Sequence, residues 1–182
     1  MSWMLFLATE AFAAPPSEVT LVARGVGETM DDANLGSVYR YGVFMAGLGV
    51  VVPVHPRVAL DLEVASGRVS RECDSCENAA MIVVRPISLL VEGTLPLSAG
   101  VGFAGAGIGL ATFNETAEDW TGSGGIGSLE LRAGVRLDTS LEFERSRAQL
   151  EIYGGRRMQR HTEGEGFDLA AWRGAVGLGF VF

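Results

Sequence analysis

The chain has 182 residues, 48% of them hydrophobic and only 20% charged, with a formal net charge of −8. That length suits one domain, and the apolar content excludes a disordered chain, which would be poor in hydrophobic residues and rich in net charge. All 14 basic residues are Arg, against 22 Asp plus Glu; this acidic balance excludes nucleic acid as a partner, because binding it needs a basic surface that displaces counterions.

No apolar stretch reaches the ~18 residues that a membrane helix needs. The 25 glycines have no three-residue period, which excludes collagen. A chain this hydrophobic without a spanning helix is either a soluble core or a membrane β-barrel.

The first residues read as an export signal. Trp3 to Ala8 is a short apolar run, and Ala11-Phe12-Ala13 places small residues at the −3 and −1 positions of an A-x-A cleavage site. Pro15-Pro16 would stop a helix. A signal peptide is expected over 1–13, with Ala14 as the alternative cut, and a single domain over 14–182. No Lys or Arg precedes the apolar run, a departure from the usual signal.

The rest of the chain is dominated by alternation with period two, the mark of strands with two different faces. In the clearest case Leu129, Leu131, Ala133, Val135, Leu137, Leu141 and Phe143 share one face, interrupted by Thr139. Glu130, Arg132, Gly134, Arg136, Asp138, Ser140 and Glu142 share the other. A helix would smear these charges around its circumference. The spacing predicts eight strands, near 18–27, 37–52, 57–69, 80–93, 99–113, 127–143, 148–160 and 168–182. In the fourth, Arg85 and Glu92 have opposite parity, which suggests a bulge near Pro86. In the fifth, Gly102, Gly105, Gly107 and Gly109 leave little contrast between faces, so its phase stays open.

The connections alternate in length. Short ones are expected at Pro53 to Pro56, Thr94 to Ser98 and Glu144 to Arg147. Long polar ones are expected at Glu28 to Gly36, Ser70 to Ala79, Asn114 to Ile126 and His161 to Phe167. An even strand number with this alternation is the layout of an up-and-down antiparallel transmembrane β-barrel. A soluble lipocalin-like carrier, its apolar face turned inward on a ligand, is the alternative. The paired opposite charges on the polar face favour apolar-out, since they suit a narrow lumen where side chains must satisfy one another.

The last strand carries a resemblance. Trp172, Val176, Leu178, Phe180 and Phe182 share a face, and the chain ends on an aromatic residue in phase with that stripe. This resembles the C-terminal strand of bacterial outer-membrane proteins. Arg85-Pro86-Ile87-Ser88-Leu89-Leu90, followed by the Gly-rich run Val101 to Gly109, resembles the OmpA/OmpX/OmpW-like small barrels. The resemblance implies an outer-membrane location among lipids and lipopolysaccharide, and recognition of the terminal strand by the barrel-assembly machinery. It implies a monomer without a cofactor.

Candidate chemistry is sparse. Cys73-Asp74-Ser75-Cys76 is a C-x-x-C in a long loop, where export to an oxidising compartment favours a local disulfide. A metal site would need further ligands and a redox motif a βαβ context. His161-Thr162-Glu163, near Glu165 and Asp168, could form a hydroxyl–imidazole–acid set like that of a lipid A-modifying barrel enzyme, but Thr is a poor substitute for Ser and the spacing matches no lipase motif. His55 lies between turn prolines, and no chemistry is expected there. Glu28, Asp31 and Asp32, then Arg71, Glu72, Asp74 and Glu77, then Glu115, Glu118 and Asp119, then Glu163, Glu165 and Asp168 make the four long loops acidic.

The expected lumen set is Arg24, Arg40, Asp61, Glu63, Glu130, Arg132, Arg136, Glu151 and Arg173. Eight strands leave an interior only wide enough for side chains, so these are expected to hold the barrel closed. Trp172 is assigned to an interfacial aromatic girdle, and Tyr153 is left open. No catalytic or metal site is expected.

Overall fold

The computed structural model describes residues 18–31, 42–71, 80–117, 120–159 and 169–182. They form eight strands: β1 (Thr20–Met30), β2 (Gly42–His55), β3 (Val58–Arg71), β4 (Ala80–Leu97), β5 (Gly100–Ala117), β6 (Trp120–Phe143), β7 (Ser146–Gln159) and β8 (Ala171–Val181). Each pairs antiparallel with the next, and β8 closes on β1 to make a barrel. Closure leaves no open edge for a further strand to join.

The alternation in the sequence becomes a wall with two opposite surfaces. Phe44 and Leu95 point outward, 73% and 65% exposed, as do Leu48, Ile108 and Leu129, while Asp61 and Glu92 point inward and are fully buried. Three two-residue turns, Pro56-Arg57, Ser98-Ala99 and Glu144-Arg145, lie at the end of the barrel that also holds the start of β1 and the end of β8. The strands outlast their expected ends. β2 runs through Pro53 to His55 and β4 runs to Leu97, because a two-residue connection suffices where the ladder can continue.

Three sequence expectations are corrected. No bulge occurs at Pro86. Val64 pairs with Ile87 and Gly67 with Val84 in one unbroken register, and the ladder skips the positions between because proline has no N–H to donate. Arg85 and Glu92 differ in parity because one faces outward and the other inward. The third long loop is instead a tall hairpin, since β5 and β6 stay paired from Gly100↔Leu137 to Ala117↔Trp120. Glu28 and Glu115 are not loop acids. Both lie within strands and point inward, buried, so two of the negative charges counted in the loops belong to the interior.

The phase of β5 is resolved. Phe103, Gly105, Gly107, Gly109 and Ala111 face inward, and Ala104, Ala106, Ile108 and Leu110 face outward. Thr139 marks an irregularity in β6. Asp138 pairs with Gln149 and Glu142 with Arg147, so β6 carries two extra residues there. The Thr139 hydroxyl donates to the Ala148 carbonyl at 2.8 Å. Because the insertion is even, Leu141 and Phe143 rejoin the outward face.

The interior is not uniformly polar. Val26, Met30, Val43, Met45, Ile82, Val84 and Ala111 form an apolar cluster, with Met30, Val43 and Ile82 near the loop-side strand ends. A smaller cluster of Val22, Val51 and Ala59 lies nearer the short turns. The charged residues fill the space between.

Gly100 opens β5 with φ +142°, and a Cβ there would lie 2.0 Å from the Arg136 carbonyl oxygen. Gly127 has nothing within 4 Å of an added Cβ. Gly100→Ala is therefore expected to lower stability by about 1–3 kcal/mol, and Gly127→Ala to be near neutral, as read by urea unfolding of the protein refolded in detergent or vesicles.

Candidate functional site

The strongest concentration of chemistry is the ion lattice that fills the barrel. Arg24 on β1 sits at its hub. Its guanidinium donates to both Asp61 oxygens at 3.1 and 2.7 Å, to Glu63 at 3.0 Å, and to Glu151 at 2.6 and 3.1 Å. One cation thus ties β1 to β3 and β7 across the lumen. Gly49 makes this possible: a Cβ there would lie 2.3 Å from an Arg24 nitrogen.

Four more arginines extend the lattice. Arg132 reaches Asp61 at 2.8 Å and Glu63 at 3.3 Å. Arg136 bridges Glu92 at 2.8 Å and Glu151 at 2.7 Å. Arg157 holds Glu28 through two bonds of 2.9 and 2.7 Å. Arg173 joins Glu28 at 2.7 Å, Glu63 at 2.7 Å and Glu130 at 2.6 Å. Ser88 donates to Glu130 at 2.7 Å, and the Tyr153 hydroxyl donates to Glu63 at 2.9 Å. The Arg132 guanidinium lies 4.2 Å from the Tyr153 ring centroid, and Arg136 lies 4.0 Å from that of Phe103.

The physical reason for arginine is legible here. A guanidinium offers five donors in a planar fork and can bridge two or three carboxylates, whereas an ammonium is a compact point charge. Each of these five side chains is shared between acids on different strands. An isolated charge buried in so narrow a space would be strongly unfavourable, so the lattice is stable only when nearly complete.

Of the expected lumen set, Arg24, Asp61, Glu63, Glu130, Arg132, Arg136, Glu151 and Arg173 meet in this lattice. Arg40 lies outside the described residues, as do Cys73, Cys76 and His161. Sequence reasoning missed Glu28, Glu92 and Arg157. Arg157 carried a usable signal, since it continues the parity of Glu151 and Tyr153. His55 accepts a hydrogen bond from the Arg57 backbone N–H at 3.2 Å, within the turn. In the terminal strand Trp172, Val176, Leu178 and Phe182 point outward, and the Phe180 ring lies 5.9 Å from that of Phe143. The Arg156 guanidinium stands 5.0 Å from the Trp172 ring centroid and donates to Asp31. That bond holds the Asp31 carboxyl below its ordinary range. Among the described residues no cluster of His, Cys, Asp and Glu could hold a metal ion.

A closed, eight-stranded, up-and-down ring with charges inside and apolar side chains outside has close structural counterparts. This is the fold of the small outer-membrane β-barrels. The N-terminal β-barrel domain of Pseudomonas aeruginosa OprF superimposes with a TM-score of 0.52 at 16% identity, covering 92% of this chain and 99% of that one. Ail, the attachment invasion locus protein of Yersinia pestis, gives 0.58 at 11% identity, covering 93% and 100%. The outer membrane protein OprG of Pseudomonas aeruginosa gives 0.56 at 14% identity, covering 93% and 98%. No protein-family model and no curated sequence relative matches the chain. At these identities the likeness carries the fold, while the charge lattice is read from this chain's own residues.

Arg24→Ala would leave Asp61, Glu63 and Glu151 buried with fewer partners. It is expected to cost about 3–5 kcal/mol, the scale for breaking a buried pair by removing one partner. Arg24→Lys keeps the charge but loses the fork, and is expected to recover only part of that loss. Urea unfolding in vesicles, compared with wild type, checks both.

Proposed function

We propose that the protein is an integral outer-membrane β-barrel whose closed body presents its long loops at the cell surface, with a structural or surface-interaction role and at most minor permeation. The observation that carries this reading is the inverted polarity of the wall. A soluble protein rarely exposes contiguous apolar patches beyond a few hundred Å², yet here each described strand turns at least one large apolar side chain outward, and β2 to β8 each turn out two or more. A bilayer is the solvent that suits such a surface. A lipocalin-like carrier would need the opposite arrangement, an apolar chamber inside, and this lumen is filled with ion pairs.

The lumen chemistry supports a closed body. At the short-turn end a cavity of about 170 Å³ reaches from Thr20, His55 and Gln149 to Arg136. Beyond it Arg136 spans the interior between Glu92 and Glu151. At the opposite end the apolar side chains of Met30, Val43 and Ile82 narrow the interior. A hydrated ion crossing this space would have to break several charge-assisted hydrogen bonds in succession.

In this reading the short turns and both strand termini face the periplasm, and β8 with Phe182 is the segment presented to the barrel-assembly machinery. The protein works as a monomer in lipid and lipopolysaccharide, without a cofactor. A lipid A-modifying activity would rest on His161 and Glu163, and His161→Ala leaving lipid A acylation unchanged would set that alternative aside.

Three measurements test the proposal. The membrane-extracted protein is expected to migrate differently in SDS when unboiled and boiled, because a folded barrel resists SDS without heat. Recovery in the soluble fraction with no such shift would overturn it. In planar bilayers the inserted protein is expected to give no steady open-pore current, and a steady current would replace the closed-body reading with a pore. Deletion of Phe182 is expected to reduce surface assembly; unchanged assembly would remove the assigned role of the terminal strand.

A further inference from the structure

The outward wall of β3, β4 and β5 changes character across three successive rows. Val64, Ile87 and Leu110 pair in one row and are the last large apolar side chains exposed on these strands toward the loop side. The next outward row places Arg85 opposite Thr112, with Ser66 at the same level on β3. The row above places Arg68 opposite Val83, which pairs in turn with Asn114. Arg68 and Arg85 are both exposed and stand on adjacent strands as diagonal neighbours, roughly 7 Å apart between Cα atoms.

Two like charges at that spacing repel, and no carboxylate forms a salt bridge with either among the described residues. The contrast with Arg156 is direct. That outward arginine on β7 is neutralised by Asp31 and lies against Trp172. Around the pair the outward neighbours are neutral: the Thr112 hydroxyl donates to the Arg85 carbonyl at 3.2 Å, and the Asn114 side-chain amide stands beside the Arg85 guanidinium, 3.0 Å from one of its nitrogens.

We propose that Arg68 and Arg85 form a binding site for the anionic phosphate headgroup of an outer-leaflet lipid. The inference rests on the membrane reading above and adds a defined site to it. The pair begins one row above the last apolar residues, the depth at which a bilayer presents its headgroups. Two guanidinium forks match a phosphomonoester, which takes bidentate hydrogen bonds and carries enough charge to offset both. The chain's net charge of −8 disfavours capture of a soluble anion from bulk. A lipid phosphate arrives instead in the plane of the membrane, already at the right height.

The test uses the full barrel reconstituted in phosphatidylcholine vesicles, with and without a minor fraction of phosphatidic acid, which bears a phosphomonoester. The readout is the temperature at which the SDS-resistant form is lost. Phosphatidic acid is expected to raise this temperature for wild type. R68Q/R85Q is expected to lose at least half of that rise while matching wild type in phosphatidylcholine alone, and R156Q to keep it. The single variants R68Q and R85Q, each expected to lose part of the rise, keep the test readable if the double variant does not insert. The site is overturned if wild type shows no rise, if R68Q/R85Q keeps the whole rise, or if R156Q loses as much. It is also overturned as a lipid site if inorganic phosphate alone reproduces the effect. Failure of wild type to insert into either vesicle would overturn the membrane reading itself.

Discussion

The structure depends on one constraint: charges placed inside a narrow, closed wall can be satisfied only by one another. Arg24 shows how strict this is. Its guanidinium is buried and divides its donors among Asp61, Glu63 and Glu151, so the strands that carry those acids must sit at one height and one register. A slip of one residue in β3 would turn Asp61 and Glu63 outward and Leu60 and Leu62 inward. The lattice therefore specifies the pairing of the wall as much as it stabilises it. Its net energetic value is modest against the desolvation it requires, but each partner lost leaves the others exposed to that full penalty.

The same constraint explains features that look unrelated. The small residues on the inner face are the space into which long side chains fold, as Gly49 is for Arg24. The use of arginine as the sole strongly basic residue gives every buried cation a fork able to bridge acids on different strands. Many of the large apolar side chains, displaced from the charge-filled middle of the interior, are left on the outside, where a bilayer can cover them. Rigidity inside and hydrophobicity outside are two results of one partition along a period of two.

That partition was largely readable from the sequence, because strict alternation leaves a strand as the only way to sort Glu130, Arg132 and Arg136 from Leu129, Leu131 and Val135. Long-range pairing was not readable. Nothing local links Arg24 to Glu151, or Glu28 to Arg157, since their partnership exists only once β1 and β7 are brought together around β8. Glu28 looks like a loop residue because polar residues gather near strand ends, yet the alternation of β1 continues through it to Met30. Glu115 failed for the same reason: a run of Asn, Glu and Thr looks like a loop, yet pairs as a tall hairpin. Around Pro86 the opposite parity of Arg85 and Glu92 imitates a break in phase, yet the register is unbroken and the two charges simply stand on opposite faces of the wall.

The irregularity at Thr139 has a consequence for how such a wall can change length. β6 accommodates two additional residues against β7, and the faces beyond the insertion are unaltered. A single extra residue at that point would have exchanged inside and outside for Ser140 through Phe143. Variation in the height of this wall is thus quantised in pairs. Lineages descending from it would be expected to differ there by dipeptides, each change in height keeping inside in and outside out.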